Sequence, residues 1–123
     1  MLGIVLLAHG SRDPLWRAPV ESVAARVRAL DPRATVRCAY LELAAPDLDQ
    51  AVAELAADGV LTVRIVPLFF GVGRHLRHDL PELVRGLQRR HPGLAIEVRP
   101  ALGEDERLLD LIARNALATD GRP

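Results

Sequence analysis

Two histidines in this chain each follow an apolar run that has the character of a buried strand. His9 comes directly after "GIVLLA" (3–8), and His75 follows "VLTVRIV" (60–66) by a short glycine-containing loop. Glu42 lies near the end of another apolar stretch, "TVRCAYLEL" (35–43), which comes between these two in the sequence. Imidazole and carboxylate groups together suit divalent iron, cobalt or nickel. The first question is therefore whether the fold brings these three side chains to one place.

Arginines lie close in sequence to both histidines. Arg12 follows the first histidine by three residues, and Arg74 directly precedes the second. Because a guanidinium pairs with a carboxylate through two parallel hydrogen bonds, these arginines favour a ligand rich in carboxylates. Ser11 does not lie in a G-x-S-x-G turn, and neither a phosphate-binding G-x-x-x-x-G-K-[ST] loop nor a G-x-G-x-x-G turn follows the first strand.

Apolar runs and amphipathic segments alternate along the chain, which predicts the order βαβαβαβα. The four strands are expected at 3–8, 35–43, 60–66 and 94–98. The first helix is expected near Pro19, after a loop or irregular turn over 11–18, with an apolar stripe of Trp16, Val20, Val23, Val27 and Leu30. The second helix is expected to begin at Pro46–Asp47, with Leu48, Val52 and Leu55 facing inward. The third is expected to begin at Asp79–Pro81, with Leu80, Leu83, Val84 and Leu87 facing inward. The fourth is expected to begin at Glu104–Glu106.

This alternation predicts a parallel sheet with right-handed crossovers and helices on both faces. The expected fold class is a three-layer α/β/α domain with a four-stranded sheet in the order 2-1-3-4, part of a flavodoxin-like sheet. Ligands bind such sheets beyond the carboxyl ends of the strands, where the strand order reverses. That rule places His9, His75 and Glu42 at one edge of the sheet.

Each of these residues also has a structural interpretation. A histidine at a strand end is commonly a hydrogen-bonded core or rim residue, and Glu42 is equally suited to cap a backbone amide. His78 fits a solvated position near a helix start better than a metal ligand. Trp16 is either a packing residue at the helix entrance or a flat face for a ring-shaped ligand. Cys38 fits a small buried hydrophobe.

The composition is that of an ordinary globular domain. The chain has 123 residues, a formal net charge of zero and one cysteine. A single domain over 1–118 with a fraying tail at 119–123 is expected. Zero net charge argues against a nucleic-acid partner, and the apolar stretches are too short to span a membrane. One cysteine excludes an intramolecular disulfide, and a cytoplasmic protein is the expectation.

The sequence resembles the short, single-domain sirohydrochlorin chelatases of the class II chelatase superfamily. The resemblance covers essentially the whole chain. Four blocks carry it, and together they are highly specific: "AHGSRDP" at 8–14, "YLELAAPDL" at 40–48, "VPLFFGVGRHLRHDLP" at 66–81 and "ALGEDERLLDL" at 101–111. Gly73, Asp79 and Pro81 match the family's G-x-H-x-x-x-D-x-P pattern, whereas Arg77 and His78 fall at its variable positions.

The resemblance implies insertion of a divalent metal into sirohydrochlorin, with no organic cofactor. It implies that His9 and His75 bind the metal and act in catalysis together with Glu42. Substrate binding is assigned to Arg12, Arg74, Ser11 and Gly73. Longer relatives carry two such domains in one chain, so a homodimer is implied here.

Several alternatives stay open at this point. Cobalt is the expected metal, with iron and nickel as alternatives, so the pathway is that of cobalamin or of sirohaem, or of a nickel cofactor. The general base is either a histidine or Glu42. A non-catalytic carrier of metal or tetrapyrrole is a second function class, and a phosphate-binding α/β domain is a third. The missing arginine before His9 counts against the third class.

Overall fold

A computed structural model describes residues 1–119 of the chain. Within them the chain alternates strands and helices in the predicted order. The strands are β1 (Leu2–Ala8), β2 (Thr35–Tyr40), β3 (Thr62–Pro67) and β4 (Ala95–Val98). The helices are α1 (Ala18–Leu30), α2 (Leu48–Ala57), α3 (Arg74–Arg90) and α4 (Glu106–Leu117), and 3-10 turns at Pro14–Arg17 and Leu102–Glu104 precede α1 and α4. The predicted fraying of 119–123 falls almost wholly outside the described residues.

The four strands form one parallel sheet in the order β2-β1-β3-β4, as the sequence predicts. β1 lies in the interior of the sheet and pairs along nearly its whole length with β2 on one side and β3 on the other. Its run of consecutive apolar residues is the pattern of a parallel strand covered on both faces. The predicted α/β fold class is confirmed.

Two hydrophobic clusters lie on opposite faces of the sheet. On one face, Val5 and Leu7 pack with residues of α2 and α3, including the fully buried Leu55 and Leu87. On the other face, Leu6 packs with residues of α1 and β2, and the cluster is smaller. The sheet is therefore covered by two helices on one face and chiefly by α1 on the other.

Helix α2 begins where the sequence predicts because its first turn is capped from both sides. The Asp47 carboxylate accepts a hydrogen bond from the Gln50 amide N–H at 2.8 Å, and the Gln50 side-chain oxygen accepts one from the Asp47 amide N–H at 3.0 Å. This reciprocal pair satisfies two amides that a helix start leaves without partners. The predicted inner face of Leu48, Val52 and Leu55 is buried, as expected.

The start of α3 differs from the prediction. The helix begins at Arg74, with Gly73 as its N-cap, and not at Asp79–Pro81. The Arg77 amide already donates to the Gly73 carbonyl at 2.9 Å, which closes the first turn. Pro81 lies inside the helix, where it removes only the single amide that would otherwise bond the Arg77 carbonyl. Asp79 and Pro81, which predicted the helix start, thus lie inside a helix that has already begun at Arg74.

Some predicted inward positions are exposed instead. Trp16 and Leu30, at the two ends of the predicted α1 stripe, are 71% and 87% exposed, and Trp16 belongs to the 3-10 turn before the helix. Leu83 of α3 and Val23 of α1 are each 38% exposed. The predicted stripes are therefore buried only in part. Within residues 1–119, no helix is both long enough and apolar enough to cross a membrane.

A candidate metal and tetrapyrrole site at the carboxyl edge of the sheet

The backbones of the loops after β1 and β2 remain paired beyond the strands themselves. The Leu41 amide donates to the Ala8 carbonyl at 2.9 Å, and the Glu42 amide donates to the His9 carbonyl at 3.0 Å. His9 and Glu42 are therefore held side by side by main-chain hydrogen bonds, although Glu42 lies two residues past the end of β2. Their placement at one edge is fixed by the backbone and does not depend on either side chain.

Gly10 is the residue that allows this close approach. It adopts a φ of +98°, and a Cβ at this position would lie 1.9 Å from the Glu42 carbonyl oxygen. An L-residue would be strained in this backbone conformation and would also collide with the neighbouring loop. The glycine after His9 is thus required for the two loops to pack together.

The His9 side chain is exposed and rests against an aromatic ring. Its imidazole packs on the Phe69 ring, with centroids 4.5 Å apart and planes tilted by 44°. Phe69 itself is almost fully buried. Neither ring nitrogen of His9 forms a hydrogen bond with another described residue, so both nitrogens are available to a ligand. A histidine satisfied by core hydrogen bonds, the structural alternative from the sequence, is not what the fold presents.

The loop after β3 brings the second histidine to the same edge. It passes through Phe69 and Gly73 and places Arg74 and His75 in the first turn of α3, both exposed. Gly73 has a φ of −70°, and a Cβ there would meet nothing within 4 Å. Neither the backbone conformation nor packing against the described part of the chain therefore demands glycine at position 73.

The remaining predicted site residues lie around these loops. The Ser11 hydroxyl accepts a hydrogen bond from the Asp13 amide at 3.1 Å, and the Asp13 carboxylate accepts one from the Leu15 amide at 3.0 Å. Ser11 thus helps to shape the turn that leads to α1. Arg12 and Arg74 are exposed and form no ion pair with any residue between 1 and 119. The Glu42 carboxylate likewise caps no amide there.

The histidines and the glutamate share an edge without forming a closed metal centre in one chain. Within the described residues, no three His, Cys, Asp or Glu side chains are grouped as metal ligands would be. The fold therefore supplies the predicted common edge, and the roles of His9 and His75 as metal ligands and of Glu42 in catalysis stay predictions.

Large apolar side chains surround this edge, and the sequence did not single most of them out. Each lies in a loop or turn that follows one of the first three strands: Leu15 (78% exposed), Trp16 (71%), Leu43 (52%) and Phe70 (63%). From the sequence, Trp16 is either a packing residue or a flat face for a ligand. Its exposure excludes the role of a packing residue within this chain. Clustered exposed apolar residues commonly mark a ligand or protein interface.

Elsewhere in the chain, the lone cysteine is a poor nucleophile. Burial raises the pKa of the Cys38 thiol, and the Glu21 carboxylate raises it further. The half-buried thiol lies on the α1 side of the sheet beside the Val20 carbonyl. The expected small buried hydrophobe is therefore close to what is found.

A parallel sheet with exposed histidines at the edge where the strand order reverses is typical of open α/β domains that bind a ligand at that edge. Residues 3–119 match the family model described as CbiX, and the chain belongs to that family. The resemblance seen in the sequence is thereby confirmed.

Related proteins cover almost the whole chain. The sirohydrochlorin cobaltochelatase of Saccharolobus solfataricus is 32% identical over 126 residues, covering 97% of this chain and 96% of that protein. The sirohydrochlorin cobaltochelatase of Sulfolobus acidocaldarius is 28% identical over 124 residues, covering 98% and 97%. The expected enzyme class, a chelatase, is confirmed by these relatives.

Two solved structures share the fold. A CbiX protein from Marinobacter aquaeolei VT8 superposes with a TM-score of 0.79 at 37% identity, covering 95% of this chain and 94% of that one. The sirohydrochlorin chelatase SirB of Bacillus subtilis subspecies spizizenii, in complex with cobalt, superposes with a TM-score of 0.80 at 22% identity. This chain covers 50% of the SirB chain, and that second likeness concerns the fold alone.

The contact between Gly10 and the Glu42 loop predicts a large cost for a side chain at position 10. We expect Gly10→Ala to lower the free energy of unfolding by about 2 kcal/mol or more, from left-handed strain and the collision together. Gly59→Ala is the matched control, because Gly59 also has a positive φ (85°) but has open space around its Cβ position. Urea denaturation of both variants at one protein concentration measures the difference, and equal losses would show that the contact with Glu42 contributes nothing.

Proposed function

We propose that this protein inserts a divalent metal ion, with cobalt as the first candidate, into sirohydrochlorin. The observation that carries the proposal is the carboxyl edge of the sheet, where His9 presents both ring nitrogens beside exposed apolar side chains. A flat, partly apolar macrocycle with ionised side chains suits that combination. The names of the relatives that span the chain support the same substrate and metal.

The reaction requires two tasks that these residues can perform. The metal must be held by ligands that later release it, and neutral imidazoles at His9 and His75 bind cobalt, iron or nickel through nitrogen. Two pyrrole N–H protons must leave as the macrocycle takes up one divalent cation, so that charge is balanced. His9, His75 or Glu42 accepts them as general base.

Positively charged and backbone groups at the same edge suit the carboxylates of the substrate. We assign Arg12 and Arg74 to these contacts because both are exposed and neither pairs with an acidic residue between 1 and 119. Ser11 and Gly73 complete the proposed substrate-binding set. Gly73 supports this assignment because no packing within residues 1–119 requires glycine there, which is consistent with close approach of a ligand to the backbone.

We also propose that the working unit is a homodimer in the cytoplasm. In one chain His9, Trp16 and Phe70 are open to solvent, and no wall opposite them encloses a macrocycle within the described residues. A second copy facing this edge would supply that wall and exclude water from the metal. A cleft shared by two chains also explains how a domain this small handles a large substrate.

The two proposed metal ligands predict a specific loss of activity. We expect His9→Ala and His75→Ala each to lower kcat/KM for metal insertion by at least about a hundredfold, because a ligand or proton acceptor is removed. The metal-dependent change in the visible spectrum of sirohydrochlorin measures the rate. His78→Ala is the matched control, since His78 lies in the same helix turn but, among residues 1–119, its side chain bonds only Asp79. Stoichiometric binding without turnover by the unaltered protein would indicate a carrier instead.

The proposed carboxylate contacts predict an effect on binding. We expect Arg12→Ala and Arg74→Ala to raise the KM for sirohydrochlorin about tenfold, the loss of one charge-assisted hydrogen bond. Arg26→Ala, at an exposed position of α1, is the control and should leave KM unchanged. If the variant with both Arg12 and Arg74 replaced retains the original KM, the assignment is wrong.

The choice of metal needs its own experiment, because the donor types suit all three candidates. Sirohydrochlorin is offered with equal concentrations of cobalt, iron and nickel under anaerobic conditions. The metallated products are separated by chromatography and quantified by mass spectrometry. We expect cobalt-sirohydrochlorin to predominate. A predominance of the iron or nickel product would overturn the proposed metal and leave the proposed reaction standing.

A further inference from the structure

The guanidinium of Arg17 contains a buried donor that has no partner. Its Nε is the one buried side-chain nitrogen or oxygen within residues 1–119 that forms no hydrogen bond. Arg17 also forms no ion pair with any residue in that range. Glu21 follows four residues later, at a spacing that allows an ion pair across one helical turn, yet the two do not form one. Because an unsatisfied buried donor destabilises a fold, a group in this position normally has a partner.

A cavity lies beside this guanidinium, on the α1 side of the sheet. Helix α1 and the 3-10 turn before it form one wall, the end of β2 forms another, and Ala45 and Pro46 line the remaining side. We call it the Arg17 cavity. Its volume is about 330 Å³. Pockets that hold a whole small molecule begin at about 300 Å³, so this cavity suits a carboxylate on a short alkyl stem and excludes a macrocycle.

The residues that line the Arg17 cavity carry one positive charge in excess. Arg17 and Arg28 are cationic, and Glu21 is the one carboxylate among the lining residues. Arg28 donates from one guanidinium nitrogen to the Val36 carbonyl at 3.1 Å, which fixes its position. It forms no ion pair with a residue of the described chain. Neither guanidinium charge is therefore neutralised by a direct contact within residues 1–119.

The two other groups in the cavity that can lose a proton stay neutral near pH 7. Burial raises the pKa of the Tyr40 hydroxyl, the Cys38 and Glu21 side chains add to the increase, and Arg17 opposes it. Burial, followed by Glu21, also raises the pKa of the Cys38 thiol. The Tyr40 hydroxyl forms no hydrogen bond with another residue between 1 and 119. The cavity thus offers more donors than acceptors, which suits an anion with two acceptor oxygens.

The Arg17 cavity adjoins the candidate site. Tyr40 is the last residue of β2 and pairs in register with the residue directly before His9. Its amide also donates to the Pro46 carbonyl at 3.0 Å, so the loop that carries Glu42 leaves and returns at the cavity. Arg17 itself ends the segment that begins at His9. The cavity is therefore bordered by the same two loops that present His9 and Glu42.

We propose that the Arg17 cavity binds one carboxylate side chain of the tetrapyrrole, with Arg17 as its ion-pair partner and Arg28 adding positive charge. The inference rests on the proposed function and adds a residue to the substrate contacts assigned there. Arg12 and Arg74 are exposed, whereas the Arg17 donor is buried. Because a partly buried ion pair is screened less than an exposed one, Arg17 is the arginine that discriminates among tetrapyrroles by the placement of their carboxylates.

Substitution of Arg17 tests the inference through the kinetics of metal insertion. We expect Arg17→Met to raise the KM for sirohydrochlorin about tenfold and to keep kcat within about twofold, because one charge-assisted contact is lost and no reacting group is touched. Arg17→Lys keeps the charge without the fork of donors and should raise KM less. Arg26→Met, at an exposed position of α1, is the matched control and should leave KM unchanged.

The stability of the free protein separates binding from folding. We expect the thermal unfolding midpoint of Arg17→Met to equal or exceed that of the unaltered protein, because the substitution removes an unpartnered buried donor and keeps most of the side-chain volume. A lower midpoint together with a raised KM would show that Arg17 maintains the fold of the turn, and the inference would be wrong.

A substrate without ionised side chains tests the carboxylate directly. Quenching of the single tryptophan, Trp16, which directly precedes Arg17, measures the dissociation constants of sirohydrochlorin and of its methyl ester. We expect Arg17→Met to weaken binding of sirohydrochlorin about tenfold and to leave binding of the ester unchanged, because the ester lacks the group that Arg17 pairs with. An equal loss for both ligands would overturn the inference.

Inorganic phosphate distinguishes a free anion from a substrate side chain. If phosphate changes the Trp16 fluorescence of the unaltered protein but not of Arg17→Met, while both have the same KM for sirohydrochlorin, the cavity holds a free anion and the inference is wrong. If the unaltered protein inserts metal and Arg17→Met has an unchanged KM without any response to phosphate, only this inference fails. If the unaltered protein neither binds nor metallates sirohydrochlorin, the proposed function fails as well.

Discussion

The structure depends on β1, a strand buried on both faces that ends at an exposed histidine. Val5 and Leu7 belong to one hydrophobic cluster and Leu6 to the other, so the strand joins the two cores. Because both neighbouring strands pair with it in parallel, all three strands end at the same edge. The position of His9 is therefore set by the burial of the residues before it, and the candidate ligand directly follows a strand that is buried on both faces.

Phe69 connects the core, the candidate site and the C-terminal helix. Its side chain is buried in the larger core and contacts the His9 ring, while its carbonyl accepts the hydrogen bond that anchors the turn before α4. One buried residue therefore contacts all three regions. These contacts were not predictable from the sequence, because an aromatic residue after a strand has no pattern that distinguishes a core residue from one that supports a ligand.

The fold was predictable because it follows from patterns along the chain, whereas contacts across loops were not. Alternating apolar runs and helical periodicity suffice for a parallel sheet, and topology rules then give the order β2-β1-β3-β4. The predicted start of α3 was wrong because an aspartate followed by a proline, as at Asp79 and Pro81, is typical of a helix start but also occurs inside a helix. The exposure of Trp16 and Leu83 depends on what packs over each side chain, which periodicity does not report. The common edge of His9, His75 and Glu42 followed from topology, but the bond between the His9 and Glu42 backbones required the structure.

An open arrangement of few ligands is what delivery of a metal demands. A structural metal site encloses its ion with four protein ligands and holds it permanently. Within residues 1–119 no group of even three candidate ligands is formed, and the two histidines are exposed, His9 in the loop after β1 and His75 in the first turn of α3. In the proposed reaction, such a site would bind a metal weakly enough to pass it on, because the macrocycle offers a complete set of nitrogen donors in return. The driving force for transfer would then come from the product, and the protein would contribute position and proton acceptors. That division of labour explains why so small a domain is sufficient for the proposed reaction.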